Sequence, residues 1–463
     1  FQEASMPEIS PYPQLRPGVK LKKNDANILI YDFRMALHDL IHPSHAFVLS
    51  LCTGAYSCDQ IKFLVKETYQ LTQEEAAEFV DSILLKNQRF LSKLPGVSNN
   101  HASLDPSQFL FKTDESERSP ALGEKLKTPL GINLSVSMQC NFRCKYCYQL
   151  TTANHSEALD YNRTLEIIDE AAAWGVVYVG ITGGEPTIYP GWINLIKKVT
   201  ENGMTPIFTT NGKVIGMQPE LAGKLSEFGL EEITVSLDSH IPDIHHSMTQ
   251  TTNTFAHVVK GIRTLAASGI RTSVKCVLTP DNINSIEGFL DFVVALGVKE
   301  IGITSMQMGA PGSNANSVDG IQPDEFHKVV DIVSHKKSQY ADICDIHPPR
   351  DSSCQWSQEG WYPCGGLFTG MSIFPSGYVS VCDKLGTVEE FIYGNVYEAG
   401  LQEIWEGERF QQLRSRAVDP EFIDADCTRC EKLPICRTSC FVDSFIKSGN
   451  YYAKHPNCSG PFA

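Results

Sequence analysis

Residues 132–147 read INLSVSMQCNFRCKYC, a strand-like run that passes directly into three closely spaced cysteines. Cys140, Cys144 and Cys147 therefore stand in a loop at the carboxyl end of the predicted strand Ile132–Val136. Thiolates are strong ligands for soft metals, so three of them at this spacing indicate a metal centre. Three thiolates on a four-iron cluster leave one iron without a protein ligand, where a chelating cosubstrate can bind.

Strand and helix signals alternate from residue 130 to residue 310. The predicted strands are Ile132–Val136, Val176–Ile181, Thr205–Thr209, Ile233–Leu237, Ser273–Leu278 and Glu300–Thr304. Predicted helices include Arg163–Trp174, Trp192–Glu201, Phe255–Ala267 and Ile286–Leu296. Six βα repeats predict a parallel sheet with right-handed crossovers, and they are too few for a closed eight-stranded barrel. We therefore predict an α/β fold with a partial (β/α)6 barrel that binds its ligands at the carboxyl ends of the strands.

Composition excludes several functions. The chain has 463 residues and a formal net charge of −15. Nucleic acids and anionic membrane surfaces attract clustered Lys and Arg, so neither is expected as a partner. No apolar run is long enough for a transmembrane helix, and Phe1–Met6 has no features of a secretion signal. We expect a cytoplasmic protein whose 15 cysteines bind metal rather than form disulfides.

Residues 1–100 predict a separate α+β domain. Its strand signals are Val19–Lys22, Ile28–Tyr31 and Met35–Leu40. Three helices follow, with start signals near Pro43, Ser57 and Thr72. This order and size predict a winged-helix domain. Residues 101–129 are rich in Ser, Asp and Pro and are interpreted as a linker.

Residues 361–463, which follow a bridge at 311–360, contain the second group of cysteines. These are Cys364, Cys382, Cys427, Cys430, Cys436, Cys440 and Cys458. Apart from a hairpin at Gly370–Val381 and short helices, the segment shows little regular structure, so metal binding is expected to stabilise its fold. Zinc is the competing interpretation for both cysteine groups.

Other predicted strands also end in candidate ligand-binding residues. The second ends in Thr182-Gly183-Gly184-Glu185-Pro186, the third in Thr210-Asn211, and the fourth carries Ser236 and Asp238. Glycines allow the backbone to approach a ligand closely, and a carboxylate such as Glu185 can bind an ammonium group.

Together these motifs resemble those of the radical S-adenosylmethionine (SAM) enzymes. The resemblance implies that Cys140, Cys144 and Cys147 hold a [4Fe–4S] cluster whose open iron binds the amino and carboxylate groups of SAM. The implied SAM contacts are Tyr146 against the adenine, Gly183, Gly184, Glu185 and Pro186 at the methionine ammonium, Ser236 and Asp238 at the ribose, and Asn211 in the same cavity. Many relatives place an Arg after the fourth strand, where this chain has His245-His246-Ser247-Met248. Lys275 on the fifth strand is our candidate for the SAM carboxylate.

The C-terminal cysteines resemble the SPASM domain at all seven positions. The resemblance implies two auxiliary [4Fe–4S] clusters, and thus three in the chain. Cys364, Cys382 and Cys440 would ligate the first auxiliary cluster, and Cys427, Cys430, Cys436 and Cys458 the second. Cys354 is the nearest candidate to complete the first cluster, which otherwise keeps an open iron.

The N-terminal domain resembles the recognition element of enzymes that mature ribosomally made, post-translationally modified peptides (RiPPs). Such an element binds the leader of a precursor peptide as an added strand. The combined resemblance implies a RiPP maturase that cleaves SAM with electrons from a reductant such as flavodoxin or ferredoxin, and cross-links the core peptide through a 5′-deoxyadenosyl radical. A thioether is the first expectation, and a carbon–carbon bond is close behind.

Three alternatives remain open at this point. An epimerase needs a cysteine as hydrogen donor, for which Cys276, Cys344 or Cys354 could serve. A formylglycine-generating sulfatase maturase shares the SPASM pattern but needs no leader-binding domain. A zinc-dependent winged-helix DNA-binding regulator is the non-enzyme alternative, and the net charge and the GGEP motif oppose it.

Overall fold

The computed structural model describes residues 10–16, 18–24, 27–32, 37–92, 105–110, 126–149, 157–309, 312–318, 320–349, 365–386, 388–418, 424–431, 433, 440–450, 452–456 and 458. The chain divides into two compact units, Phe1–Lys127 and Thr128–Ala463. None of the helices in these described ranges has the length and apolar character needed to cross a membrane.

The first unit consists of a three-stranded antiparallel sheet and three helices. The strands, in the order β1-β2-β3, are β1 (Val19–Asn24), β2 (Asn27–Asp32) and β3 (Leu37–Ile41), and the helices are α1 (Pro43–Ser50), α2 (Cys58–Tyr69) and α3 (Gln73–Lys86). Capping boxes join Ser57 to Gln60 and Thr72 to Glu75, which fixes the starts of α2 and α3. Each predicted strand and helix of this unit is therefore present.

The differences from the sequence prediction lie at the ends of these elements. The described part of β3 is Leu37–Ile41, and residues 33–36, which include the predicted start at Met35, lie outside the described residues. Phe109, which we assigned to the linker, is 2% exposed and packs in the apolar cluster of the first unit. Burying an aromatic ring is strongly favourable, so this part of residues 101–129 contributes to the N-terminal core.

The second unit is built on one ten-stranded sheet. Six strands follow the predicted alternation: β4 (Gly131–Ser137), β5 (Tyr178–Gly183), β6 (Thr205–Thr210), β7 (Glu232–Ser236), β8 (Arg271–Leu278) and β9 (Glu300–Ser305). They are parallel and lie side by side in sequence order, as the βα repeats predict. The loops after these strands consequently meet at one edge of the sheet.

Four further strands extend this sheet beyond the six strands of the βα repeats. They are β10 (Asp345–His347), β11 (Gly370–Ile373), β12 (Tyr378–Ser380) and β13 (Ile392–Asn395). β10 pairs in parallel with β9, and β11 pairs in parallel with β4. β11 and β12 form the predicted hairpin, and both edges of the six-stranded sheet thereby gain backbone partners. The cysteine-rich segment is thus joined to the barrel by main-chain hydrogen bonds.

Helices cover one face of the sheet, and short helices follow in the C-terminal segment. They are α4 (Tyr161–Trp174), α5 (Trp192–Glu201), α6 (Lys213–Met217), α7 (Glu220–Glu227), α8 (Pro242–Thr249), α9 (Phe255–Ala267), α10 (Ile286–Ala295), α11 (Pro323–Gln339), α12 (Gly365–Phe368), α13 (Leu401–Glu406), α14 (Glu408–Val418), α15 (Ala425–Thr428) and α16 (Phe441–Ser448). The alternation of buried and exposed side chains along β8 distinguishes the two faces of the sheet. Val274, Cys276 and Leu278 are buried in the apolar cluster under the helices, whereas Lys275 between them is exposed. Lys275 therefore lies on the opposite face of the sheet.

Candidate functional site

The first three cysteines form a loop directly after β4. Phe142 anchors this loop, since its side chain is 3% exposed and belongs to the main apolar cluster. The Phe142 amide donates to Sγ of Cys140 at 3.4 Å, and the Cys147 amide donates to the Cys144 carbonyl at 3.2 Å. The loop is therefore shaped by its own backbone, and the three cysteine residues as a whole are partly exposed.

Helix α8 supports the cysteine loop from outside. The amides of Arg143 and Lys145 donate to the carbonyls of Thr249 and Met248, at 3.0 and 2.9 Å. A helix leaves its last carbonyl groups without helical partners, so its carboxyl end can hold a loop in this way. We noted residues 245–248 only for a missing Arg, and their role in holding the loop was not predicted.

Burial keeps the Cys140 and Cys144 thiols neutral when no cation is present. It raises the pKa of Cys140 to about 12 and the pKa of Cys144 well above its ordinary value. The nearby carboxyl groups of Glu185 and Asp238 act in the same direction. Thiolates at this place consequently need a positive charge beside them, and the iron of a cluster supplies one.

The GGEP turn packs against the start of the cysteine loop. A Cβ on Gly184 would lie 2.0 Å from the carbonyl oxygen of Gln139, and one on Gly183 would lie 2.3 Å from that of Ser137. Gly183 also has a φ of +126°, which side chains rarely adopt. The amide of Gly184 donates to the Ser137 carbonyl at 2.7 Å, and the amide of Glu185 donates to the Gln139 carbonyl at 2.9 Å. Contact between two protein segments therefore requires both glycines, and their expected approach to a ligand stays a prediction.

Glu185 is turned into the protein, where it joins β5 to β6. It is 2% exposed. Its Oε1 accepts from the Thr187 amide at 3.0 Å and from the Thr210 hydroxyl at 2.6 Å, and its Oε2 accepts from the Asn211 amide at 2.8 Å. Burial raises its pKa above the ordinary value. In this structure the carboxylate positions the ends of two strands, and its expected contact with an ammonium group stays a prediction.

Asp238 and Tyr146 form a second buried pair. The Tyr146 hydroxyl donates to Oδ2 of Asp238, and the Val277 amide donates to Oδ1 at 2.8 Å. Asp238 is 2% exposed, and burial raises its pKa to about 6. Both of its oxygens thus accept protein donors, and the bond fixes the ring of Tyr146 within the cysteine loop. The expected contacts with adenine and ribose stay predictions.

Asn211 ties the third strand to the cysteine loop. Its Nδ2 donates to Oδ1 of Asn141 at 2.7 Å, and its Oδ1 accepts from the Lys213 amide at 3.1 Å. Pro186 is buried and begins the single turn Pro186–Ile188. The predicted residues of the second, third and fourth strands are thus joined to one another and to the loop.

Ser236 and Lys275 lie side by side on neighbouring strands, on the face of the sheet opposite Val274, Cys276 and Leu278. Lys275 is paired in register with Ser236 on one side and with Gly302 on the other. Gly302 has no side chain to cover the lysine, which is exposed. An exposed ammonium group near the carboxyl ends of the strands can bind an anionic ligand.

The C-terminal cysteines fall into two groups. The Cys427 thiol interacts electrostatically with those of Cys430 and Cys458. Cys382 and Cys440 both interact with the ammonium of Lys384. The assignment of these cysteines to two clusters stays a prediction. Cys354, Cys364 and Cys436 lie outside the described residues.

A hydrogen bond that we did not predict joins the two cysteine regions. The hydroxyl of Tyr148, next to Cys147, donates to Oδ2 of Asp383 at 2.7 Å. Asp383 directly follows Cys382, and its Oδ1 lies 3.4 Å from that thiol. Tyr148 and Asp383 are each adjacent in sequence to a predicted cluster ligand, and this adjacency is the feature of the sequence that could have pointed to them. The loop of the first three cysteines is thus linked to the auxiliary region.

Comparison with known sequence families decides the class of this chain. The radical SAM superfamily matches residues 134–293, and the SPASM iron–sulfur cluster-binding domain matches residues 364–431. The chain is a radical SAM enzyme. Its two domains imply [4Fe–4S] clusters and SAM. The zinc-dependent DNA-binding alternative receives no support from these matches.

Individual relatives of this radical SAM enzyme act on different substrates. PqqA peptide cyclase of Ruegeria pomeroyi is 25% identical over 338 residues, which cover 72% of this chain and 87% of the relative. The AdoMet-dependent heme synthase of Methanosarcina barkeri is 24% identical over 344 residues, which cover 69% and 93%. Streptococcus suis SuiB bound to S-adenosylmethionine has a TM-score of 0.66 at 15% identity, over 96% of this chain and 100% of SuiB. SuiB has also been solved bound to its precursor peptide SuiA, with a TM-score of 0.65 at 16% identity. These likenesses show the radical SAM α/β fold.

The residues present fit the implied cofactors of a radical SAM enzyme. Buried thiols that require a neighbouring cation suit an iron–sulfur cluster. Across the described ranges, no group of three His, Cys, Asp or Glu side chains is arranged to hold a metal ion. A four-iron cluster binds each thiolate at a different iron, so its ligands do not converge on one atom.

Proposed function

We propose that this radical SAM enzyme modifies a ribosomally made precursor peptide by forming a cross-link in its core. The supporting observation is the extent of the likeness to SuiB, which covers 96% of this chain. Residues 1–127 make up about a quarter of the chain, so this likeness includes most of the N-terminal unit. The two curated relatives cover only 72% and 69% of the chain. A peptide substrate agrees with the name of PqqA peptide cyclase and with the SuiA-bound form of SuiB.

The N-terminal unit is proposed as a winged-helix recognition element for the leader. β3 is an edge strand, since within the described sheet it pairs with β2 alone. An added peptide strand gains affinity from main-chain hydrogen bonds and specificity from neighbouring side chains. Arg89, which follows α3, bonds to Asp39 on β3, so the third helix is tied to this edge. The leader is therefore proposed to bind along β3, beside the end of α3.

Three cysteine sets are proposed to hold three [4Fe–4S] clusters. Cys140, Cys144 and Cys147 hold the first, whose open iron takes SAM. Cys364, Cys382 and Cys440 hold the first auxiliary cluster, and Cys427, Cys430, Cys436 and Cys458 the second. When bound and reduced, the SAM-binding cluster supplies the electron that yields methionine and a 5′-deoxyadenosyl radical, which takes a hydrogen atom from the substrate.

The protein's own residues bind and orient the reactants. Lys275 is proposed to bind the SAM carboxylate, because this residue is exposed beside Ser236 near the carboxyl ends of the strands. Asp238 fixes Tyr146 through its hydroxyl, so the ring has a set position for the adenine. Glu185 holds the turn after β5 in place through its hydrogen bonds to β6. A reductant such as flavodoxin or ferredoxin is the proposed electron source.

A cross-link is favoured over epimerisation by the positions of the candidate donor cysteines. Cys276 is 0% exposed and lies on the helix-covered side of β8. Cys344 is 3% exposed and packs in the same apolar cluster. A hydrogen donor has to reach the proposed SAM site, whereas both described thiols are buried in the apolar cluster. A thioether remains the first proposal for the product, with a carbon–carbon bond second.

The test is the mass of the peptide product. The full chain, reconstituted without oxygen, is incubated with SAM, a reductant and synthetic precursor peptides encoded beside its gene. A cross-link removes two hydrogens, and tandem mass spectrometry locates it. Epimerisation leaves the mass unchanged but incorporates deuterium from heavy water. Turnover of an iron porphyrin without any change in peptide would instead favour a heme-forming activity, and the peptide proposal would be wrong.

A further inference from the structure

A buried ammonium group lies among the auxiliary cysteine segments. Lys384, two residues after Cys382, is 6% exposed. Its Nζ donates to Oδ1 of Asp443 at 2.8 Å. Asp443 lies in the first turn of α16, three residues after Cys440. One ion pair therefore connects the segment of Cys382 to the segment of Cys440.

A third cysteine segment reaches the same ion pair. Nε2 of His455 lies 3.5 Å from Oδ2 of Asp443, and His455 is 4% exposed. Cys458 follows three residues later. Asp383 is a further charged group here, and its carboxylate accepts from Tyr148 and lies 3.4 Å from the Cys382 thiol. Asp443 thus contacts both Lys384 and His455, which fixes the lysine within the fold.

The position of Lys384 has an electrostatic consequence for a cluster held by Cys382 and Cys440. An iron–sulfur cluster gains one negative charge when it is reduced, and nearby charge and burial set its potential. A fixed positive charge stabilises the reduced state, and it acts more strongly in a buried site because the local dielectric constant is low. Cys382 and Cys440 both lie within electrostatic range of the Lys384 ammonium.

We propose that Lys384, held by Asp443, raises the reduction potential of the auxiliary cluster ligated by Cys382 and Cys440. Lys384 is a positioning charge and touches no substrate. A higher potential suits a cluster that accepts an electron. This inference rests on the proposed function, in particular on the assignment of a first auxiliary cluster.

The test compares midpoint potentials in the anaerobically reconstituted full chain, by redox titration followed by electron paramagnetic resonance. The auxiliary signal is identified as the one that Cys382→Ser removes. Lys384→Met is expected to lower the equilibrium constant for one-electron reduction of the cluster about tenfold, which corresponds to a midpoint potential lower by about 59 mV. Lys384→Arg keeps the charge and should stay near the wild-type potential. Asp443→Asn removes a negative charge but keeps a side-chain oxygen that can accept the hydrogen bond from Lys384, so it should raise the potential.

Lys336→Met is the matched control. Lys336 is also 6% exposed, and its Nζ donates to Asp291 at 2.7 Å, but this pair lies between α11 and α10. Its loss should therefore leave the auxiliary potential unchanged. An effect equal to that of Lys384→Met would point to general destabilisation and would overturn the proposal.

Two other results would also overturn it. One is an unchanged potential in Lys384→Met with full iron content. If Lys384→Met loses iron, the result for Asp443→Asn decides. An unchanged potential in Asp443→Asn, or loss of iron from that variant as well, would mean that the ion pair contributes only to folding. Failure of the cluster assignment is distinguishable, because the wild type would then lack any signal removed by Cys382→Ser.

Discussion

Gly184→Ala tests how the GGEP turn positions the cysteine loop. The added Cβ would lie 2.0 Å from the Gln139 carbonyl oxygen and 2.5 Å from its carbon. That is about 1.5 Å short of van der Waals contact, and both partners are backbone, so the segments must separate by about 1 Å. The separation strains the two bonds that the amides of Gly184 and Glu185 donate, at 2.7 and 2.9 Å.

The cost of this change can be estimated from its parts. Overpacking costs about 1–3 kcal/mol, and each weakened backbone hydrogen bond about 0.5–1.5 kcal/mol. Together they predict a loss of about 2–6 kcal/mol in the free energy of unfolding. Because Gln139 directly precedes Cys140, the loop should also shift. A displacement of about 1 Å at a reactive centre can reduce the rate about 100-fold.

The assay is anaerobic thermal unfolding together with 5′-deoxyadenosine formation, measured by chromatography. Gly223→Ala is the matched control, because a Cβ at that position in α7 has no atom within 4 Å. It should be neutral or slightly stabilising, since alanine favours a helix over glycine by about 0.5–1 kcal/mol. Wild-type stability and wild-type SAM cleavage in Gly184→Ala would refute the packing argument.

Three further predictions follow from the site and the two units. Lys275→Met should raise the KM for SAM at least tenfold. Lys275→Arg keeps the positive charge and should retain most of the affinity for SAM. An unchanged KM in Lys275→Met would show that Lys275 does not bind SAM. Iron analysis of the reconstituted chain should give about 12 irons per chain, from three four-iron clusters, and saturation near four would leave the auxiliary sites without support. A chain that begins at Thr128, the boundary between the two compact units, should still cleave SAM but should bind precursor poorly by fluorescence anisotropy. A proline in β3, at a residue whose amide points away from β2, should weaken binding in the full chain because proline cannot donate to an added strand. Full peptide affinity in both variants would contradict leader binding by the first unit.

Regular spacing allowed much of this fold to be predicted from sequence. The six strands β4–β9 and their helices follow a repeated alternation, and the cysteine groups have fixed spacings. The strands β10 and β13 could not be found this way, since segments of three and four residues show no usable period. They are strands because they pair with an existing sheet.

The directions of individual side chains could not be predicted. Glu185 was identified from its motif, but its orientation depends on Thr210 and Asn211, which are far away in sequence. Asp238 likewise points to Tyr146, 92 residues earlier in the chain. The ion pair of Lys384 and Asp443 spans 59 residues and has no local pattern. Such contacts form only when the fold brings distant segments together.

The central claim, that the radical formed from SAM acts on a peptide, is tested most directly by hydrogen transfer. The measurement uses precursor peptide that is deuterated at the side chains of its core. The account predicts that 5′-deoxyadenosine gains deuterium from this peptide, and that its formation is faster when the peptide is present. Unlabelled 5′-deoxyadenosine, formed at the same rate with and without every candidate peptide, would contradict it.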